Sequence, residues 1–420
     1  MKKLFVMVFL AVFVMSFATV EVTFWHAMGG GHGKALQEIV KMFNETHPGI
    51  EVKAIYVGNY GALSQKLLAA AQSGQLPVLS QAYSNWTAKL IHAGVVQELN
   101  KYVFDPQIGL TKDEWEDIWK PFRLNCMWGD KVYAMPFNKS LYVLFVNTDA
   151  LLMYGVDAPK TVDELVADAK ALTDDIDGDG KIDQYGFGFR PTVDTFQIFL
   201  SLAGGSILKK VNGKWVPNLD TPETREVLQL LKKMYDEKIA YVQGSYLSGP
   251  FGNGKIAMYI GSIAGKPYVD RASKGKHDWS WVPVPKWKTN KVPFAGTDVI
   301  MFNTASEAQK KAAWEFMKFL VSPEITAYWA VHTGYVPVRK SALETKVWKD
   351  YAASDPKANI PLVQIPNGVF DPQIGVWYEI RQKVGTMFAN VIYGKTSIDD
   401  AIKQTTKEIN KLLEEEYGGK

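Results

Sequence analysis

The sequence predicts an α/β protein built as two lobes. Three observations lead there. Strand and helix patterns alternate through the first part of the chain, which predicts a mainly parallel sheet covered by helices. A second α/β block runs to about residue 290, and a helical tail follows it. There are no internal repeats and no low-complexity linker, so two fused lobes imply that the chain crosses between them more than once. The 420 residues suffice for two domains, each with its own core.

The first element is a leader. MKKLFVMVFLAVFVMSFATVEV has two lysines, an apolar run from Leu4 to Val14, then Ser16-Phe17-Ala18. Small residues at Ser16 and Ala18 suit cleavage before Thr19, and the run is short for a membrane span of roughly 20 residues. Residues 1–18 are therefore expected to be a signal peptide and the mature protein to be exported. VEVTFWH alternates as a strand, and Gly33 to Phe43 carries Leu36, Ile39, Val40 and Phe43 at helical spacing. HPGIEVKAIYVG reads as a strand after a Pro-Gly turn, Leu63 to Ser73 as a helix, and VLSQAYS as a strand. KVYAMPFNKSLYVLFVNTDAL is a long β-rich passage. Thr161 to Leu172 is a helix opened by a Thr161/Glu164 capping box, and Arg225 to Lys238 is another. The tail reads as helices at Ala305 to Leu320, Pro323 to Val331, Val376 to Ile392 and Ile398 to Tyr417.

Composition narrows the function. A net charge of +3, from 47 basic and 44 acidic residues, argues against a dedicated nucleic-acid binder. The aromatic share of 13% is high, and aromatic rings are what a polar-ligand cleft uses for stacking. One cysteine, Cys126, permits no intramolecular disulfide and no cysteine-based metal site.

The cluster FWHAMGGGHGK, a strand leading through glycines and a lysine into a helix, suggests a phosphate-binding loop. It fails the test: with Gly33-Lys34 as the pair, the first glycine position is Met28 and the Ser/Thr position is Ala35. A dinucleotide fingerprint fails at Lys34. What remains is a glycine turn into a helix N-terminus. The loop DIDGDGKID places Asp175, Asp177 and Asp179 at positions 1, 3 and 5 of a calcium loop, Lys181 at position 7 as a carbonyl donor, and Asp183 at position 9. Position 12 is Gly186 rather than glutamate. The loop is either a structural calcium clamp or a solvated acidic turn. The six histidines show no paired metal-ligand spacing, and neither HExxH nor GxSxG occurs. No enzyme motif is present.

VTFWHAMGGGHGKALQEIVKMFNETHPGIEV, MPFNKSLYVLFVNTDAL, FGNGKIAMYIGS and AAWEFMKFLVSPEITAYWAVHTGYVPVRKSAL together resemble the extracellular solute-binding proteins of ABC importers. The resemblance runs from about residue 21 to 415. It implies the two-lobed periplasmic-binding-protein fold, closure on a hinge, and delivery of a small molecule to ABC permease membrane subunits by an exported monomer. It also implies the boundaries: 19–139 with 297–340 in the first lobe, 144–293 with 345–420 in the second, and crossings near 140–143, 294–296 and 341–344. FWHAM, YVGNY, PFNKS and HTGYVP are most similar to the family's glycerol-3-phosphate binders. Carried over by position, Tyr60, Ser140, Ser262, Gly296 and Tyr335 would contact ligand and Arg381 would hold a phosphate. A phosphate needs such an arginine fork with hydroxyl and N–H donors. The competing role for Arg381 is an ordinary helix-surface cation. Two positions depart: Ser84 stands where those proteins have a carboxylate for the glycerol hydroxyls, and Val162 where they have a tryptophan. The expected ligand is glycerol-3-phosphate or a glycerophosphodiester. The alternative is a neutral sugar or oligosaccharide stacked on Trp86 or another cleft aromatic. A secreted carbohydrate-active enzyme is the rival from another class. Capture needs no cofactor.

Overall fold

The computed structural model describes residues 19–418. The expected signal peptide at 1–18 lies outside the described residues. Two sheets organise the chain, each the centre of one lobe. In the first, strands Ile50–Tyr56, Val20–His26, Leu79–Ala82, Asp298–Met301 and Ala134–Pro136 lie side by side in that order. The three early strands are parallel, as the alternating pattern predicts. The other two pair antiparallel, so the expectation of a mainly parallel sheet holds only for the opening βαβ part. The reason is topological: these strands belong to stretches where the chain leaves the first lobe and later returns to it.

The second sheet runs in the order Ala240–Val242, Tyr185–Phe189, Ile256–Ser262, Ser140–Asn147, Val292–Ala295 and Gly368–Val369. Ser140–Asn147 is its centre. It pairs antiparallel with 256–262 on one edge, and with Trp279–Pro283 and Val292–Ala295 on the other. Successive residues feed two cores. Leu141, Val143 and Phe145 join the core that extends from the first lobe, whereas Leu144 and Val146 join the core beneath the helices of the second. A strand buried on both faces reads as a continuous apolar run, which is why LYVLFV lacks polar alternation.

The chain passes from Pro136 of the first sheet to Ser140 of the second, and back from Ala295 to Asp298. These two connections press together. Gly296 has φ +100°, and a Cβ there would stand 1.9 Å from the Asn138 carbonyl oxygen, so only glycine fits. Residues 341–344, expected as a third crossing, form a 3-10 turn beside the Pro323–Thr333 helix, and the chain rejoins the second sheet at Gly368–Val369.

Local chemistry sets where the helices begin and end. Gly30–Thr46 buries Leu36, Ile39, Val40 and Phe43. It starts earlier than the apolar spacing indicates, because Gly30 takes the left-handed φ of +56° that turns the strand into the helix. Tyr60–Ser73 is capped by Asn59, whose side chain accepts from the Ala62 N–H at 3.0 Å, and ends at Gly74 in the left-handed region. Val162–Ala171 has the expected Thr161/Glu164 capping box, with Val162 buried in the second lobe's core.

Candidate functional site: the cleft between the lobes

A cavity of about 360 Å³ lies between the lobes. That is the size of a small-molecule site. Its first-lobe wall carries Tyr60, Tyr83, Ser84, Asn85, Trp86 and Asn125; the opposite wall carries Asp194, Gln197, Asp371, Tyr378 and Arg381; Tyr142 and Phe294 to Gly296 lie at the connections. Of the residues expected from sequence, Tyr60, Ser84, Gly296 and Arg381 line this cavity.

The first-lobe wall is aromatic. Tyr83 sits edge-on to both Tyr60 and Trp86, with ring centroids 5.1 Å apart in each case. Ser84 and Trp86 open the helix Ser84–His92, which brings the hydroxyl and the indole to the cavity from one turn. Tyr335 stacks on Trp329 at 5.7 Å, and its hydroxyl lies within hydrogen-bonding reach of Tyr60 and Asn138. Asn138 is the hub here. It donates to the Tyr60 hydroxyl at 3.0 Å and accepts from Gln81 Nε2 at 3.0 Å. Burial raises the Tyr60, Tyr83 and Tyr335 hydroxyl pKa values above the ordinary value, so all three are neutral donors and acceptors. Ser140 and Ser262 are brought together by their neighbouring strands, Oγ to Oγ at 2.6 Å. Their hydroxyls satisfy each other, and neither residue lines the cavity.

Arg381 extends from the helix Trp377–Ile392 and is not an isolated cation. Nη2 donates to Asp194 Oδ1; Nη1 donates to Gln197 Oε1 at 2.9 Å and to Asp371 Oδ2 at 3.4 Å. Gln197 Nε2 closes the ring on Asp371 Oδ1 at 2.7 Å. Burial works against the guanidinium charge, but Asp194 and Asp371 more than offset it and hold the pKa above its ordinary value. The cluster therefore carries one more carboxylate than cation. Sequence reasoning found Arg381 and missed its partners. A signal existed: Asp194 and Gln197 are polar residues three apart in VDTFQIFLSL, on one side of a helix whose Phe196, Ile198 and Phe199 are buried.

The aspartate loop is separate. Carboxylate oxygens of Asp175, Asp177 and Asp183 come within 4.8 Å of one another. Asp175 also accepts from the Gly178, Asp179 and Gly180 amides, which folds the loop around it. Asp179 turns instead to Lys181 Nζ at 2.7 Å, which lowers its pKa. Three carboxylates, not four, thus form the set that suits a hard cation. The glutamate position of a calcium loop is closed to a side chain here: a Cβ on Gly186 would lie 2.0 Å from the Ala169 carbonyl oxygen.

A family model described as bacterial extracellular solute-binding protein matches residues 38–356. The chain belongs to that family. Members bind small molecules outside the cytoplasm and work with ABC permeases. Among curated relatives, the sn-glycerol-3-phosphate-binding periplasmic protein UgpB of Yersinia pseudotuberculosis is 25% identical over 413 residues, covering 94% of this chain and 93% of that one. The Salmonella typhimurium protein of the same name is also 25% identical, with the same coverage. Among solved structures, UgpB of Mycobacterium tuberculosis in complex with glycerophosphocholine superposes with a TM-score of 0.82 at 21% identity, covering 95% of this chain and 99% of that one. The GacH receptor of Streptomyces glaucescens, solved unliganded and with acarbose, gives 0.81 at 22% identity, covering 94% and 99%. The two-lobed α/β fold follows from these superpositions. Among the described residues no helix is long and apolar enough to cross a membrane.

Proposed function

We propose that the protein captures a hydroxyl-rich solute of no net charge, a neutral sugar or short oligosaccharide, by closing its lobes and hands it to an ABC permease. The observation that carries this is the pairing of Arg381 with Asp194 and Asp371. A phosphate dianion arriving at Arg381 would have to displace or face two carboxylates. A sugar hydroxyl instead donates to a carboxylate and accepts from the guanidinium, and its ring stacks on Tyr60, Tyr83 or Trp86.

The second reading is a glycerophosphodiester with a cationic headgroup. The structural likeness to UgpB in complex with glycerophosphocholine supports it, and so does the charge balance: the phosphate would take Arg381 while the cation sits among aromatic rings and carboxylates. In both readings residues 1–18 direct export, the monomer hinges at the two connections near 140–143 and 294–296, and the aspartate loop clamps a calcium ion away from the cleft.

A thermal-shift titration of residues 19–420 against maltose, glycerol-3-phosphate and glycerophosphocholine tests this, since a ligand that binds only the folded state raises the melting temperature. Maltose or glycerophosphocholine should stabilise, and glycerol-3-phosphate should not. Stabilisation by free glycerol-3-phosphate above both others would overturn the proposal.

A further inference from the structure

Asn125 ends the short helix Lys120–Asn125 and stands in the first-lobe wall of the cleft. It is only 4% exposed. Its Oδ1 accepts from Lys139 Nζ at 2.7 Å. An ammonium can only donate, so this bond fixes the amide with its oxygen toward Lys139 and its nitrogen away. Lys139 is wholly buried and anchored by Asp298 at 2.6 Å, and the Cys126 thiol donates to the same carboxylate at 3.3 Å. Nδ2 is left buried with no hydrogen-bond partner among the described residues. Buried polar groups are paired as a rule, so an amide locked in place with its donors unused calls for an acceptor from outside the chain. The main chain of the same residue is tied to the other lobe: Gln373 Nε2 donates to the Asn125 carbonyl at 2.9 Å and to that of Met127 at 3.1 Å.

We propose that Asn125 is a ligand-binding residue, with Nδ2 donating to a solute oxygen and the Lys139–Asp298 pair acting as the device that positions it. The proposal rests on the reading of the cleft as the site of a hydroxyl-rich solute. It gives the solute one grip from each lobe. The second lobe offers the carboxylates and guanidinium of the Arg381 cluster, and the first offers a fixed N–H donor. Gln373 makes the same turn the place where the lobes meet, so contact with the solute and closure converge on one residue.

The test is calorimetry on residues 19–420 with maltose and glycerophosphocholine as probes. N125D keeps the acceptor for Lys139 and replaces the donor; N125A removes both. Each should raise Kd about 10- to 100-fold for whichever probe binds the wild type, the range for a lost hydrogen bond that leaves a polar partner unpaired. The double variant K139M/N125A should bind no more weakly than N125A, because Lys139 acts through Asn125. In the wild type, the assigned side-chain amide NMR signal of Asn125 should move on addition of the probe. A folded N125D or N125A with unchanged Kd, or an unmoved amide signal, overturns the role of Asn125 alone. A wild type that neither probe binds overturns the reading of the cleft, and the role of Asn125 falls with it.

Discussion

Replacing Asp194 by asparagine, alone and with Asp371→Asn, is the perturbation that separates the two ligand classes. Two unit charges 4 Å apart interact by about 4 kcal/mol at an effective dielectric of 20 and about 1 kcal/mol in bulk water. The side chains of Asp194 and Asp371 are 38% and 27% exposed, so solvent screening pulls the value toward the lower figure. A working magnitude is about 1–2 kcal/mol for each carboxylate, or roughly 5- to 30-fold in Kd. The single variant leaves the cluster neutral, and the double variant leaves Arg381 as its only charge. Affinity for glycerol-3-phosphate should therefore rise stepwise across wild type, D194N and D194N/D371N. Affinity for maltose should fall, because each asparagine loses a charged acceptor for sugar hydroxyls. The assay is isothermal calorimetry of all three proteins at about 0.05 and 0.5 M salt; screening should shrink the phosphate gain at high salt and leave the sugar loss nearly unchanged. Tight binding of glycerol-3-phosphate by the wild type, weakened by D194N, would refute the reasoning. It would mean that the aspartates orient the arginine for phosphate rather than compete with it.

Other consequences follow from groups outside the cluster. K139M strands the Asp298 carboxylate in the core and should cost about 3–5 kcal/mol in urea unfolding, with part regained in K139M/D298N. Burial pushes the His26 imidazole pKa from 6.5 down to about 4. The folded state thus holds the neutral ring while the unfolded chain takes up the proton. The stabilisation is complete above pH 6.5 and is lost as pH falls from 6.5 toward 4. The loss is at most about 3 kcal/mol by linkage, and H26N should flatten that part of a melting-temperature profile. Millimolar calcium should raise the melting temperature of the wild type, and D175N or D183N should abolish the rise without altering solute affinity. A calcium-independent melting temperature would leave the loop a solvated turn.

Sequence periodicity revealed the elements because burial acts on neighbours. The stripe Leu36, Ile39, Val40 and Phe43 is one face of one helix, and the Thr161/Glu164 box is closed within four residues. Sheet direction was less legible. Whether 298–301 runs parallel or antiparallel to 79–82 depends on the path by which the chain returns, not on the residues in the strand. In the cleft, Tyr60, Ser84, Gly296 and Arg381 were reachable by resemblance to known proteins. Asn125 was not, since its importance comes from an amide fixed by Lys139 and left half unpaired.

The peptide FDPQIG shows where local reading stops. No whole element repeats, yet these six residues occur at 104–109 and again at 370–375. In the first copy Asp105 folds its own turn, accepting from the Gln107 and Ile108 amides at 2.7 and 3.1 Å, and that local bonding lowers its pKa. In the second copy Asp371 accepts from Gln197 and Arg381, and Gln373 reaches across to the first lobe. The aspartate of the string is satisfied within its own turn in one place and belongs to a wall of the cleft in the other. What differs is the partner the fold supplies, from up to 248 positions away in sequence. The charge character of a binding site is a property of that kind. Arg381 by itself suggests an anion site; paired with Asp194 and Asp371 it belongs to a cluster with one more carboxylate than cation, and the proposed neutral solute rests on that charge character.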